Sequence, residues 1–164
     1  MNPLVTFTRY RTWADRLVYD AVARMPREAV ERPQPIVFGS LLRTLNHVLL
    51  MDRVWQAHLL GESHDITSRN PDTCPALDSL RGEQEAMNAW YERYAASLSP
   101  ADLAEVVSFR FIGGSPGAMT REDIILHVVN HATYHRGHIA DMMYHASVQP
   151  PTTDLPVFIQ ARGE

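Results

Sequence analysis

The sequence predicts an all-α fold: a four-helix bundle with a crossover loop or short hairpin between its third and fourth helices and a short C-terminal helix. Three observations carry this. Four stretches repeat apolar residues at helical spacing, and each is bounded by proline, glycine or a capping side chain. A chain of 164 residues also suits one globular domain that buries about two-thirds of the surface its unfolded form exposes. Residues 1–164 are therefore read as a single domain.

The first helix opens at Asn2-Pro3, an N-cap followed by proline at the first helical position. It carries Leu4, Phe7, Ala14, Leu17, Val18, Ala21 and Met25 before Pro26 ends it. After a proline-rich connector, Arg32 to Ile36, the second helix starts beyond Gly39-Ser40. It presents Leu41, Leu45, Val48, Met51, Trp55 and Leu59 and closes at Gly61. Its apolar surface runs round much of the circumference, which predicts several neighbours and a partner subunit. A polar loop over residues 61 to 75 leads to a third helix from about Ala76 to Ser97, stopped by Ser99-Pro100. Val106 to Ile112 alternates in part before Gly113-Gly-Ser-Pro-Gly117, which fits either one strand of a short hairpin or an extended loop. Thr120-Arg-Glu-Asp123 matches a capping box and opens the fourth helix, about 120 to 146. Gln149-Pro150-Pro151 breaks it, and Asp154 to Ile159 makes a last helical turn that docks on the body.

Composition removes several classes of function. The fifteen basic residues are all arginine, so Schiff-base chemistry, a pyridoxal cofactor and a P-loop lysine have no side chain to use. Those arginines are scattered and the net charge is −4, which leaves no nucleic-acid footprint. No apolar run approaches the roughly 20 residues of a membrane span, and Met1-Asn-Pro-Leu-Val does not read as a signal peptide, so a cytoplasmic location without membrane partners is expected. Cys74 is the single cysteine, which excludes an intrachain disulfide and a thiolate cluster.

The chemistry concentrates in the fourth helix, where His127, His131, His135 and His138 place four of the chain's eight histidines within twelve residues. A pair four residues apart can hold one metal ion between neighbouring turns. On a wheel of about 100° per residue, His135 lies about 30° and His131 about 70° from the centre of the inward arc, with His138 and His127 near 90° and 110°. His127 stands roughly 12 Å along the axis from His135, and His138 roughly 10 Å from His131, so one ion cannot take all four. His131 and His135 are the inward pair, and they need a third ligand from another helix, for which His47 is the best candidate. His58 shares the side of His47 but lies roughly 16 Å away and reads as a surface residue. His64 and His145 read as structural.

Asp52 falls near the middle of the second helix's apolar side, an expensive place for a carboxylate without a partner. It fits either an outer acceptor for a ligating imidazole or a buried salt bridge with an arginine. Tyr134 and Arg136 flank the ligands, yet both sit off the inward arc, which favours structural roles.

Asn130-His131-Ala-Thr-Tyr-His135-Arg-Gly-His138-Ile139, Leu45-Asn46-His47-Val48 through Asp52-Arg53-Val-Trp55, and Trp13-Ala-Asp15 together resemble the DinB-like family. The likeness covers nearly the whole chain in element order. It implies a four-helix bundle in which His47, His131 and His135 hold a divalent metal, usually in a homodimer, and a superfamily that includes thiol-dependent S-transferases and a thiol-dependent isomerase. The family often carries a polar residue such as Gln where His138 stands.

Three neutral imidazoles leave an ion its full charge and at least one open position. The first expectation is a divalent-metal-dependent enzyme, with Zn or Ni as the ion, that transfers a low-molecular-weight thiol to an electrophilic small-molecule substrate. The alternatives are a metal-dependent hydrolase of amides or esters, and a metal-binding stress protein without catalysis. Hydrolysis ranks lower because there is no His-Glu-x-x-His motif and Asp52 is the one obvious inward carboxylate.

Overall fold

The computed structural model describes residues 2–163. In chain order the elements are α1 (Pro3–Val22), α2 (Arg27–Glu31), α3 (Leu41–Leu60), α4 (Leu77–Ser97), α5 (Pro100–Ala104), β1 (Val106–Arg110), β2 (Pro116–Thr120), α6 (Arg121–His145) and α7 (Leu155–Ala161). The four long helices α1, α3, α4 and α6 form the expected bundle. Contacts of α1 with α4, α4 with α3, α3 with α6 and α6 with α1 close a ring, which places α1 diagonally from α3 and α4 diagonally from α6. Two connections therefore cross the bundle. The short helices α2 and α5, which periodicity did not anticipate, lie on these two crossings.

Helix ends follow local chemistry. Asn2 caps α1 by accepting the Leu4 N–H at 3.0 Å, and Ser40 caps α3 by accepting that of Arg43 at 3.2 Å. Gly61, at φ 70°, ends α3 in the left-handed conformation and returns its N–H to the carbonyls of Ala57 and His58. Thr120 caps α6 by accepting the Asp123 N–H at 3.1 Å, while its own hydroxyl donates to the Asp123 carboxylate at 2.7 Å. The first helix stops at Val22, short of the expected Pro26. The chain tightens through Met25 N–H to Val22 carbonyl, so the buried Met25 prolongs the apolar pattern beyond the helix itself.

The segment after α5 is a hairpin. β1 and β2 pair antiparallel with Val107 opposite Met119 and Phe109 opposite Gly117. A Cβ on Gly117 would lie 2.6 Å from the Phe109 ring, so glycine there lets Phe109 lie across the strand pair. Phe109 then meets the Trp55 ring edge-on at 5.0 Å and ties the hairpin to α3. At the other end of the chain, α7 inserts Phe158 against Tyr10 and Trp13 of α1.

The wide apolar circumference of α3, the basis for expecting a partner subunit, is taken up within the chain. Its buried residues, from Leu41 to Leu59, face α4, α6, α2 and β1. No helix among the described residues is long and apolar enough to cross a membrane.

A buried polar network joins all four long helices. Arg11 of α1 pairs with Asp52 of α3, and its Nε donates to Asp15 at 3.3 Å. Gln84 of α4 donates to Asp52 at 2.8 Å, Asn88 of α4 donates to Asp15 at 3.0 Å, and Arg136 of α6 donates to Asp15 at 3.3 Å. Burial opposes the Arg11 charge, but Asp52 and Asp15 outweigh it and hold the guanidinium protonated. Truncating one partner leaves a buried charge uncompensated, which costs about 3–5 kcal/mol. Arg11→Met is accordingly expected to lower the free energy of urea unfolding by about that much, and Arg11→Met combined with Asp52→Leu to recover part of the loss.

Candidate metal centre

Residues 131 and 135 are one helical turn apart on α6, and that turn faces His47 in the first half of α3. The Nε2 atoms of the three rings converge: His47 to His131 is 3.2 Å and His131 to His135 is 3.1 Å. The three candidate donor atoms all lie within 4.8 Å of one another. Two imidazole nitrogens bound to one tetrahedral ion at about 2.0–2.1 Å stand about 3.3 Å apart, so the cluster has the span of a ligand set.

Outer contacts orient two of the three rings. His47 Nδ1 lies 2.8 Å from the Arg69 carbonyl, which only accepts, so Nδ1 carries the hydrogen and Nε2 is left as a bare lone pair. His135 Nδ1 lies 3.2 Å from His138 Nδ1, and Nε2 again points inward. Three Nε2 atoms face one another, and hydrogens cannot satisfy every close pair among them. A cation suits all three at once, so the residues present fit the group.

The electrostatics point the same way. Burial, then the rings of His135 and His47, pushes the His131 pKa down to about 2. Burial, with His47 and His138, pushes His135 down to about 4. Burial lowers His47 too, against the hydrogen bond from its ring to the Arg69 carbonyl. The imidazoles are thus neutral at pH 7, the form that donates a lone pair. Phe38 closes one side by stacking on His47, with centroids 3.8 Å apart and planes 18° apart. Tyr134, 63% exposed, lies on the solvent side with its ring 5.0 Å from His135 and 4.5 Å from His138.

The remaining candidates separate cleanly. His127 stands edge-on to Trp55 at 4.8 Å and lies 5.7 Å from the His131 ring, beside the cluster. His145 is exposed at the end of α6. His58, expected at the surface, is instead half-buried and stacked on Phe109 at 5.1 Å, because the hairpin folds over that end of α3. Asp52 meets Arg11 and Gln84, which matches the salt-bridge reading; the acceptor for the His47 ring is the Arg69 carbonyl. Arg136 is structural, donating to Asp15, to Tyr10 at 3.1 Å and to Thr133 at 2.8 Å. Sequence reasoning missed Phe38, which follows no helical period, and the Arg69 carbonyl, which as a backbone group has no residue-type signal. The contact of His138 with His135 was visible only as a spacing of three.

The sequence pattern of the DinB family matches residues 1–164. The chain belongs to the DinB family. It is 26% identical over 161 residues to Protein DinB of Bacillus subtilis (strain 168), covering 92% of this chain and 90% of that protein. The crystal structure of a DinB-like protein from Bacillus cereus ATCC 10987 matches with a TM-score of 0.66 at 19% identity, covering 88% of this chain and 91% of the other. At that identity the likeness establishes the DinB fold, and the chemistry rests on the residues described above.

Both histidine shifts run downward, so the unfolded chain binds protons near pH 6.5 that the folded chain takes up only near 4 or below. Metal-free stability is therefore expected to be complete above about pH 6.5 and to fall as the pH is lowered toward 4. Urea melts of metal-free protein between pH 7.5 and 4.5 measure this, and His131→Leu should flatten the slope.

Proposed function

We propose that His47, His131 and His135 hold one divalent ion, with Zn or Ni the best suited, and that the protein transfers a low-molecular-weight thiol to an electrophilic small molecule. The observation that carries the reading is the convergence of three neutral imidazole nitrogens with a hydrogen-bonded outer contact at both His47 and His135. The chemistry such an ion supplies is acidification of a thiol S–H, which makes a sulfur nucleophile available at neutral pH. The chain's own residues do the rest. The Arg69 carbonyl and His138 hold two rings in the donating tautomer, Phe38 keeps water from one side, and Tyr134 flanks the solvent side where a substrate arrives.

Hydrolysis is the weaker reading. It calls for a general base beside the nucleophile, and the buried Asp52 carboxylate is engaged by Arg11 and Gln84 instead. A homodimer, carried by the family resemblance, belongs to the same proposal, and sedimentation at micromolar concentration tests it.

Titrating cobalt-substituted protein with small thiols is expected to produce sulfur-to-metal charge-transfer absorption that disappears in His131→Ala. If no thiol gives a signal and the loaded protein hydrolyses model amides or esters, the reaction is the hydrolytic one; neither result would favour a metal-binding protein without catalysis. Replacing an outer partner of a ligating histidine typically costs 10–100-fold in metal affinity, so His138→Leu should weaken binding by about that factor in a chelator competition, while His138→Gln, able to accept a hydrogen bond, should retain most of it.

A further inference from the structure

A second pair of histidines meets at the far end of α3. His58 lies in the last turn of that helix, eleven residues from His47 and so about 16 Å along the axis, too far to serve the same ion. Gly61, at φ 70°, turns the chain back at the helix end and brings His64 beside His58, with ring centroids 5.3 Å apart and planes at 60°. His64 Nδ1 is buried and has no hydrogen-bond partner among the described residues. His58 is also stacked on Phe109 at 5.1 Å and edge-on to Trp55 at 5.5 Å.

An imidazole centroid sits about 3.2 Å from an ion its nitrogen binds, so two rings on one tetrahedral ion have centroids about 5.2 Å apart. The observed 5.3 Å meets that span. An ion would also satisfy the buried His64 nitrogen, whose desolvation is otherwise uncompensated. Burial and then the neighbouring His64 ring both lower the His58 pKa, which keeps that ring neutral.

We infer that His58 and His64 form a second site for a divalent transition-metal ion. With two protein ligands and the other positions left to water, it binds more weakly than a three-histidine site. An ion there also ties the loop after α3 to the helix it leaves. The same loop carries the Arg69 carbonyl that holds His47 and is gripped further along by Arg43, which donates to Asn70 at 3.0 Å and to the Asp72 carbonyl at 3.3 Å.

Equilibrium dialysis of tag-free, full-length, metal-free protein against zinc tests the assignment through the difference between variants. His64→Ala, in a loop where no helix depends on it, is expected to take up one ion fewer per chain than the unsubstituted protein, and His58→Ala likewise. His145→Ala is expected to change nothing. Nitrogen-15 NMR of the imidazoles should show the His58 and His64 signals moving together at the weaker step. The inference is overturned if His64→Ala leaves the zinc stoichiometry unchanged, or if the two signals do not respond to zinc. Loss of the three-histidine site would appear separately, as an ion missing from both the unsubstituted protein and His64→Ala.

Discussion

The orientation of the four long helices depends on the charges buried at the centre of the bundle. Arg11, Asp15, Asp52 and Arg136 come from α1, α3 and α6, and Gln84 and Asn88 bring α4 into the same network. Apolar packing alone tolerates small rotations of a helix about its axis, whereas a buried guanidinium needs its carboxylate in one place. Arg136 shows the consequence for the site. It is the residue after His135, so anchoring it to Asp15 on α1 turns the adjacent face of α6, with His131 and His135, toward α3 and His47.

Around the three imidazoles the protein supplies neutrality and orientation rather than charge. Burial keeps the rings unprotonated, the Arg69 carbonyl leaves the inward nitrogen of His47 as a lone-pair donor, and His138 lies against the outer nitrogen of His135. A carboxylate among them would add a negative charge to this neutral set. The carboxylate nearest in sequence to His47 on the inward face, Asp52, is instead consumed by the ion pair. The ion pair and the imidazole cluster are thus separate devices, one fixing the helix positions and the other gathering three neutral rings.

The crossing connections also have a structural use. Because α3 is diagonal to α1 and α6 is diagonal to α4, the chain needs extra length to reach each, and that length supplies groups to both histidine clusters. Phe38 precedes α3 and stacks on His47, while Phe109 lies in the hairpin before α6 and stacks on His58. The loop between α3 and α4 contributes the Arg69 carbonyl and His64.

Much of this was legible in the residues. Helical periodicity with proline, glycine and capping side chains determined the four long helices, since those signals are local and repeat within each element. Spacing on one helix determined that His131 and His135 share a face while His127 and His138 fall at its edges, since rise and turn per residue are constants of the helix. Tertiary structure decided the rest. Whether Asp52 meets a histidine or an arginine depended on which side chains α1 and α4 bring to it, and His58 became half-buried because a hairpin fifty residues later folds across it. The Arg69 carbonyl is the clearest case: a backbone acceptor looks the same at every residue, so only the path of the loop in space could select it.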